Sequence, residues 1–230
     1  MIEKYYNGVI EQVAGGIGNV EHNSILVRYS NDFSIWDLES VNHYKDQTDI
    51  FFTCHEFSYN KIAEAYEPYL GLIRQMFHKY CSGTLEEFME ECDVYKLQRP
   101  VFESYFEKGF CERTEQILID EVEYEQERMC NSIVTMLQKL SEIRPVVIVL
   151  NRFQLASKST MQLTNSLLQV KNKNIGIVLG VNDVQSIPEF AHEEWDAICE
   201  SMDDRNMVYH IGNAGRNMEP DVMDYYSDYE

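Results

Sequence analysis

The sequence predicts an α/β fold: a parallel five-stranded sheet with helices on both faces and a long helical insertion between strands 2 and 3. Three observations carry this expectation. Val146–Leu150 (VVIVL) and Gly176–Val181 (GIVLGV) are nearly unbroken apolar runs, the pattern of parallel strands buried on both faces. Ser24–Tyr29 and Asp49–Cys54 flank a helix-length segment, a strand–helix–strand unit of about 30 residues as βαβ geometry requires. After residue 145 strands and helices alternate again, which implies parallel strands joined by crossovers.

In order along the chain, residues 2–14 have helical apolar spacing, and AGGIGN ends that helix. Gly15, Gly16 and Gly18 invite comparison with a phosphate cradle. Such a loop follows a strand and opens a helix, however, whereas this one follows a helix and precedes a strand, so a helix stop is the simpler reading. Strand Ser24–Tyr29 comes next, then a crossover helix over Ile35–Tyr44 and strand Asp49–Cys54. A helical region follows over about 60–142, with Gly83-Thr84 before LEEFMEE reading as a capped helix start. Leu118, Val122, Met129, Ile133, Met136, Leu137 and Leu140 keep one apolar face on its last helix. Arg144-Pro145 stops that helix before strand Val146–Leu150. Helix Thr160–Val170, strand Gly176–Val181, a helix over Trp195–Ser201 and strand Met207–Ile211 complete a domain spanning 1–212. Residues 213–230 read as an acidic linker or tail, or a disordered terminus.

Composition narrows the function classes. The net charge of −20 is concentrated in two blocks: residues 84–128 hold 14 acidic and 5 basic side chains, and residues 183–230 hold 13 and 2. Such a chain repels nucleic-acid phosphates, so no nucleic-acid contact is expected. The acidic helical block is a candidate surface for a basic partner or for self-association, or simply a solvated face. The apolar runs at 145–150 and 175–181 are too short to span a bilayer, and MIEKYYNGVIEQ has no signal-like character, so no membrane contact is expected. Six cysteines without CxxC pairing fit a reducing, cytoplasmic location.

The stretch ILVRYSNDFSIWDLES (25–40) raises the question of nucleotide binding, because a strand leads into a helix where a phosphate loop would sit. Four segments bear on it, in order: IEQVAGGIGNVEHNSILVR, FFTCHEFSYNKIAEAYEPYLGLIRQM, PVVIVLNRFQLASKSTMQLTNSLL and NIGIVLGVND. Together they resemble the STAND-type branch of the P-loop AAA-like ATPases, found at the front of large bacterial signalling proteins, over about residues 2–212. The resemblance implies a sheet of P-loop NTPase type. It assigns the first strand and phosphate loop to 25–36, the Walker B strand and "hQ-x-A" turn to 146–156, and a sensor strand to 175–183.

The catalytic residues of that family do not carry over. On its phosphate-loop pattern Tyr29 and Asp32 fall where glycines belong, and Ser34 replaces the last glycine. Ile35 stands at the lysine and Trp36 at the magnesium-binding hydroxyl. Two carboxylates, Asp32 and Asp37, near a polyphosphate would cost several kcal/mol at an effective dielectric of about 20. The acidic pair ending the Walker B strand is replaced by Asn151 and Arg152, and an arginine cannot serve as a base.

The expected function is therefore a pseudo-ATPase: a non-catalytic regulatory or protein-interaction module, the N-terminal part of a larger bacterial signalling protein. Its expected partners are another protein or downstream domains of the same chain, and homo-oligomerisation stays open. No cofactor, metal or ATP hydrolysis is expected. A magnesium-independent nucleotide or anion sensor using Arg28 and Arg152 is one alternative. In the filled-pocket reading these arginines instead pair with Asp32 and Asp37, and Trp36 occupies the space. A thiol enzyme centred on Cys54 and His55 is a second alternative, although neighbours on a strand point to opposite faces. An unrelated α/β protein that never bound nucleotide is a third. Glu86-Glu87, Glu90-Glu91 and Glu193-Glu194 read as solvated helix faces, and Asn182-Asp183 as a turn.

Overall fold

A computed structural model describes residues 2–18, 23–30, 34–45, 47, 49–61, 63–109, 122–170, 172–183, 186–203 and 207–211. Helix α1 (Ile2–Gly15) leads to β1 (Ser24–Tyr29), α2 (Glu39–Lys45) and β2 (Phe51–Glu56). The described residues then form α3 (Tyr69–Tyr80), α4 (Leu85–Glu91), α5 (Arg99–Lys108) and α6 (Val122–Ile143). The chain then runs through β3 (Val146–Asn151), α7 (Lys158–Gln169), β4 (Ile175–Asn182), α8 (His192–Asp203) and β5 (Met207–Ile211).

All pairings are parallel, in the order β2-β3-β4-β1-β5. The edge strand β5 is described by its backbone pairing to β1, from Ile25↔Met207 to Tyr29↔Ile211. The chain crosses the sheet one way from β1 to β2, then returns through β3 and β4 to β5. A crossover of fixed hand must change face when it changes direction. The core divides accordingly. Ile25, Val27, Val147, Val149 and Val178 face α1 and α2, whereas Leu26, Ile148, Leu150, Ile177 and Leu179 face the helices that follow β2. This two-sided burial is why the apolar runs show no period-2 alternation.

Several boundaries differ from the sequence expectation. Strand β2 is displaced two residues onward, with Phe51 opposite Val146 and Glu56 opposite Asn151, so Cys54 and His55 lie within it. The expected helix over Ile35–Tyr44 is a 3-10 turn, Ile35–Asp37, capped by Ser34 and separated from α2 by an extended Leu38. The helical insertion begins at Tyr69 rather than 60, and four helices of it lie among the described residues. Thr84 caps α4 as expected, its hydroxyl accepting from the Glu87 N–H at 3.2 Å while the Glu87 carboxylate accepts from the Thr84 N–H at 2.9 Å. Gly16 donates back to Gln12 O, and Gly18 has φ 99°, a conformation that favours glycine; the loop ends a helix. Leu118 and the tail 213–230 lie outside the described residues. No helix among the described residues is long and apolar enough to cross a membrane.

Candidate functional site

In open parallel sheets, ligands bind outside the carboxyl ends of the strands, where neighbouring strands exit in opposite directions. Here that point lies between β1 and β4, whose ends Tyr29 and Asn182 are in register. Asn182 donates its backbone N–H to Gln154 Oε1 at 3.3 Å, and the Asp183 N–H donates to Tyr29 O at 2.8 Å. Gln154, the glutamine of the turn after β3, is fully buried and ties the ends of β3 and β4 together.

On the α1 and α2 side, two glycines let α1 approach β4 closely. A Cβ on Gly176 would press on Val13 Cγ1, and one on Gly180 would collide with the hydroxyl of Tyr6 and with Asn151 Oδ1. The space left by Gly180 is filled with polar side chains. The Tyr29 hydroxyl donates to Asn151 Oδ1 at 2.8 Å across β4, and the rings of Tyr6 and Tyr29 meet edge to face at 6.5 Å. Tyr6, Tyr29 and Asn151 are all fully buried. Burial, then the neighbouring Tyr29, Cys54 and Glu56, pushes the Tyr6 phenol well above its usual range, so it stays a neutral hydroxyl.

The structure thus brings Tyr29 and Asn151 into contact. Ile35 is fully buried in the same core, so the position resembling the lysine is a packing position. Trp36 is 46% exposed, with Lys45 Nζ 4.7 Å from its ring centroid. It does not fill the pocket, because Ile35 takes the inward direction of the 3-10 turn. Ser34 caps that turn, its Oγ accepting from the Trp36 N–H at 3.3 Å. Asp32 lies outside the described residues, as does the side chain of Asp37.

The two arginines do not converge on one site. Arg28 points to the opposite face of the sheet, where its Nη1 pairs with Asp183 Oδ1 at 3.3 Å and its guanidinium lies 5.6 Å from the Trp195 ring. Arg152 Nε pairs with Glu56 Oε1 at 3.4 Å, at the carboxyl end of β2. The expected pairing of these arginines with Asp32 and Asp37 falls on side chains outside the described residues. A cavity of about 320 Å³ beside Arg28 is also lined by Asp183 and Asp196, so its wall does not favour an anion.

Cys54 packs against the α1 and α2 core, while His55 lies on the other face, 4.5 Å from the Phe57 ring and 3.9 Å from Glu67 Oε1. Burial lowers the His55 pKa against the opposing pull of Glu67. Burial also pushes the Cys54 thiol up to about 11. Cys54 is accordingly expected to react with iodoacetamide at neutral pH on the order of a hundredfold more slowly than a free cysteine. Peptide mapping by mass spectrometry checks this, and selective labelling of Cys54 would restore the thiol-enzyme alternative. Among the acidic pairs Glu86, Glu87, Glu90, Glu91 and Glu193 are exposed, as expected. Glu194 is buried instead, holding Lys158 and Gln162 at 3.0 Å each. No cluster of metal-binding side chains occurs among the described residues.

Sequence reasoning missed Tyr6, Gly180 and the network they form with Asn151. The signal was present, as Gly176 and Gly180 share one face of a strand four residues apart. No family model matches this sequence, and no curated protein matches it.

Proposed function

We propose that the chain is a non-catalytic, ATPase-like regulatory or protein-interaction module on a sheet of P-loop NTPase type. The observation that carries this reading is the Tyr29–Asn151 hydrogen bond. The ends of β1 and β3, which the resemblance assigns to the phosphate loop and the magnesium-binding acid, are joined directly by buried side chains of the chain itself. The strand order supports the fold assignment, because it sets the strands resembling the phosphate-loop, sensor and Walker B strands side by side with their carboxyl ends together. A phosphate there would have to displace Tyr29 and Asn151, with no lysine or acidic pair to compensate. The module works by contacts, with a protein or with downstream domains of its own chain.

Thermal unfolding tests this. Millimolar ATP, ADP or GTP with magnesium is expected to leave Tm unchanged. A nucleotide at 100 times its Kd would stabilise the fold by about 2.7 kcal/mol, or roughly 5–10 °C for a chain of this size. A shift of that order would overturn the reading in favour of a nucleotide sensor.

A further inference from the structure

Strand β2 is an edge of the sheet, and among the described residues no strand pairs with its outer side. Hydrogen bonds from Phe51 N–H to Pro145 O and from Phe57 N–H to Asn151 O direct the odd-numbered amides of this strand toward β3. The amides and carbonyls of Phe52 and Cys54 therefore point outward. The two faces that flank this edge differ in chemistry. On one, α3 contains no carboxylate, and its Arg74, Gln75, His78 and Lys79 line a groove of about 500 Å³ with Phe51 and Gly71. Gln75, His78 and Lys79 are exposed, and Arg74 is fixed against the carboxyl end of α5 by donating from Nε to Phe106 O at 2.8 Å. Lys79 Nζ lies 5.8 Å from the Phe51 ring centroid, which keeps its charge beside the strand. On the other face the strand shows Phe52, stacked on Tyr44 with ring centroids 5.7 Å apart, and Cys54, half-buried against the same core.

A strand added to this edge sends alternate side chains to the two faces. Those on the α3 face meet cations, and those on the opposite face meet Tyr44 and Cys54. The occupant that fits is an extended segment in which acidic and apolar residues alternate. Backbone pairing supplies its affinity and the alternation its specificity. In a chain of net charge −20, a cationic groove beside an open edge is a local reversal of sign, and it is complementary to acidic side chains. A second copy of β2 fits less well. Paired antiparallel about a two-fold axis, it would bring its own α3 to the same face and set like charges against each other.

We infer that the outer edge of β2 and the basic flank of α3 form a docking surface for an extended acidic segment of a partner protein. The segment adds as a further strand, with its acidic side chains toward Arg74, His78 and Lys79. Strands β3 and β4 separate this surface from β1, so the inference goes beyond the function proposed above and fails separately from it. A nucleotide-induced rise in Tm would leave the docking surface standing, and loss of the docking surface would leave the Tyr29–Asn151 contact standing.

The probe is a fluorescein-labelled peptide of sequence Glu-Val-Glu-Tyr-Glu-Val-Glu, titrated into the full chain and followed by anisotropy and by NMR hydrogen exchange. Saturable binding is expected, with exchange of the Phe52 and Cys54 amides slowed at least about tenfold at saturation and Val149 unchanged as an internal reference. Lys79→Glu is expected to weaken binding at least about tenfold. Absence of saturation by about 1 mM peptide, or equal binding to Lys79→Glu, would overturn the inference. A peptide with proline in place of each valine keeps the charge but cannot pair along its length, and equal binding of it would overturn strand addition. Displacement of the acidic peptide by polyuridylate would assign the groove to phosphates and overturn the protein partner. Protection of Phe52 and Cys54 already present without peptide would overturn it as well, assigning the edge to a second copy if it falls on dilution and to the chain itself if it does not.

Discussion

Gly180→Val is expected to lower Tm by roughly 6–12 °C, corresponding to about 3 kcal/mol at 2–4 °C per kcal/mol for a chain of this size. Its Cβ would meet the Tyr6 hydroxyl and Asn151 Oδ1, and both belong to fully buried residues on elements that cannot easily retreat. Displacing Asn151 also weakens its bond to Tyr29, and a buried polar group deprived of its partner costs about 1–3 kcal/mol. The milder Gly180→Ala isolates the contact: its cost should shrink once Tyr6→Phe has removed the hydroxyl. Urea unfolding of the two single variants and the double gives the coupling. Strict additivity would mean that the helix and strand are farther apart than described.

Asn151→Asp is expected to destabilise the protein in a pH-dependent way. The new carboxyl would be fully buried, and Tyr29 supplies one donor for it. Desolvation raises the folded-state pKa above the unfolded value of about 3.9, and a shift of roughly 3 units costs about 4 kcal/mol once the group must ionise. The sign follows from linkage. Below the unfolded pKa the acid is neutral in both states and the penalty is absent. It grows as pH rises through the interval between the two pKa values and is complete above the folded one. Urea unfolding from pH 4 to 8 measures the widening gap from the unaltered chain. A gap independent of pH, or one closed by magnesium, would mean that the end of β3 is solvated and open to a metal.

Much of the sheet was legible because burial on both faces leaves apolar runs that little else explains. Val146–Asn151 and Ile175–Asn182 were found within a residue or two for this reason. Strand Phe51–Glu56 was misplaced because an edge strand is only half-buried, and its pattern is diluted by Thr53, His55 and Glu56. The site was less legible, since its contacts join positions far apart in the chain. Arg28 finds Asp183 after 155 residues, and Tyr29 finds Asn151 after 122. Local pattern suggests a large apolar Trp36 for the pocket. Only the three-dimensional turn shows that Ile35 points inward and leaves Trp36 to Lys45.

The strand order also fixes a timetable for synthesis. Among the five described strands β1 leaves the ribosome before the others, yet it sits between β4 and β5, which follow β2 and β3. Ser24 pairs opposite Ile177 and Ile25 opposite Met207, whereas Val146 and Ile175, opposite each other in β3 and β4, are only 29 positions apart. The one sheet pairing with a short connection is therefore β3 with β4, joined by a single helix. It can form before the nascent chain is complete, while β1 waits with both sides unpaired. Closing loops of that length costs entropy that only the finished sheet repays, so assembly is expected to be cooperative and late.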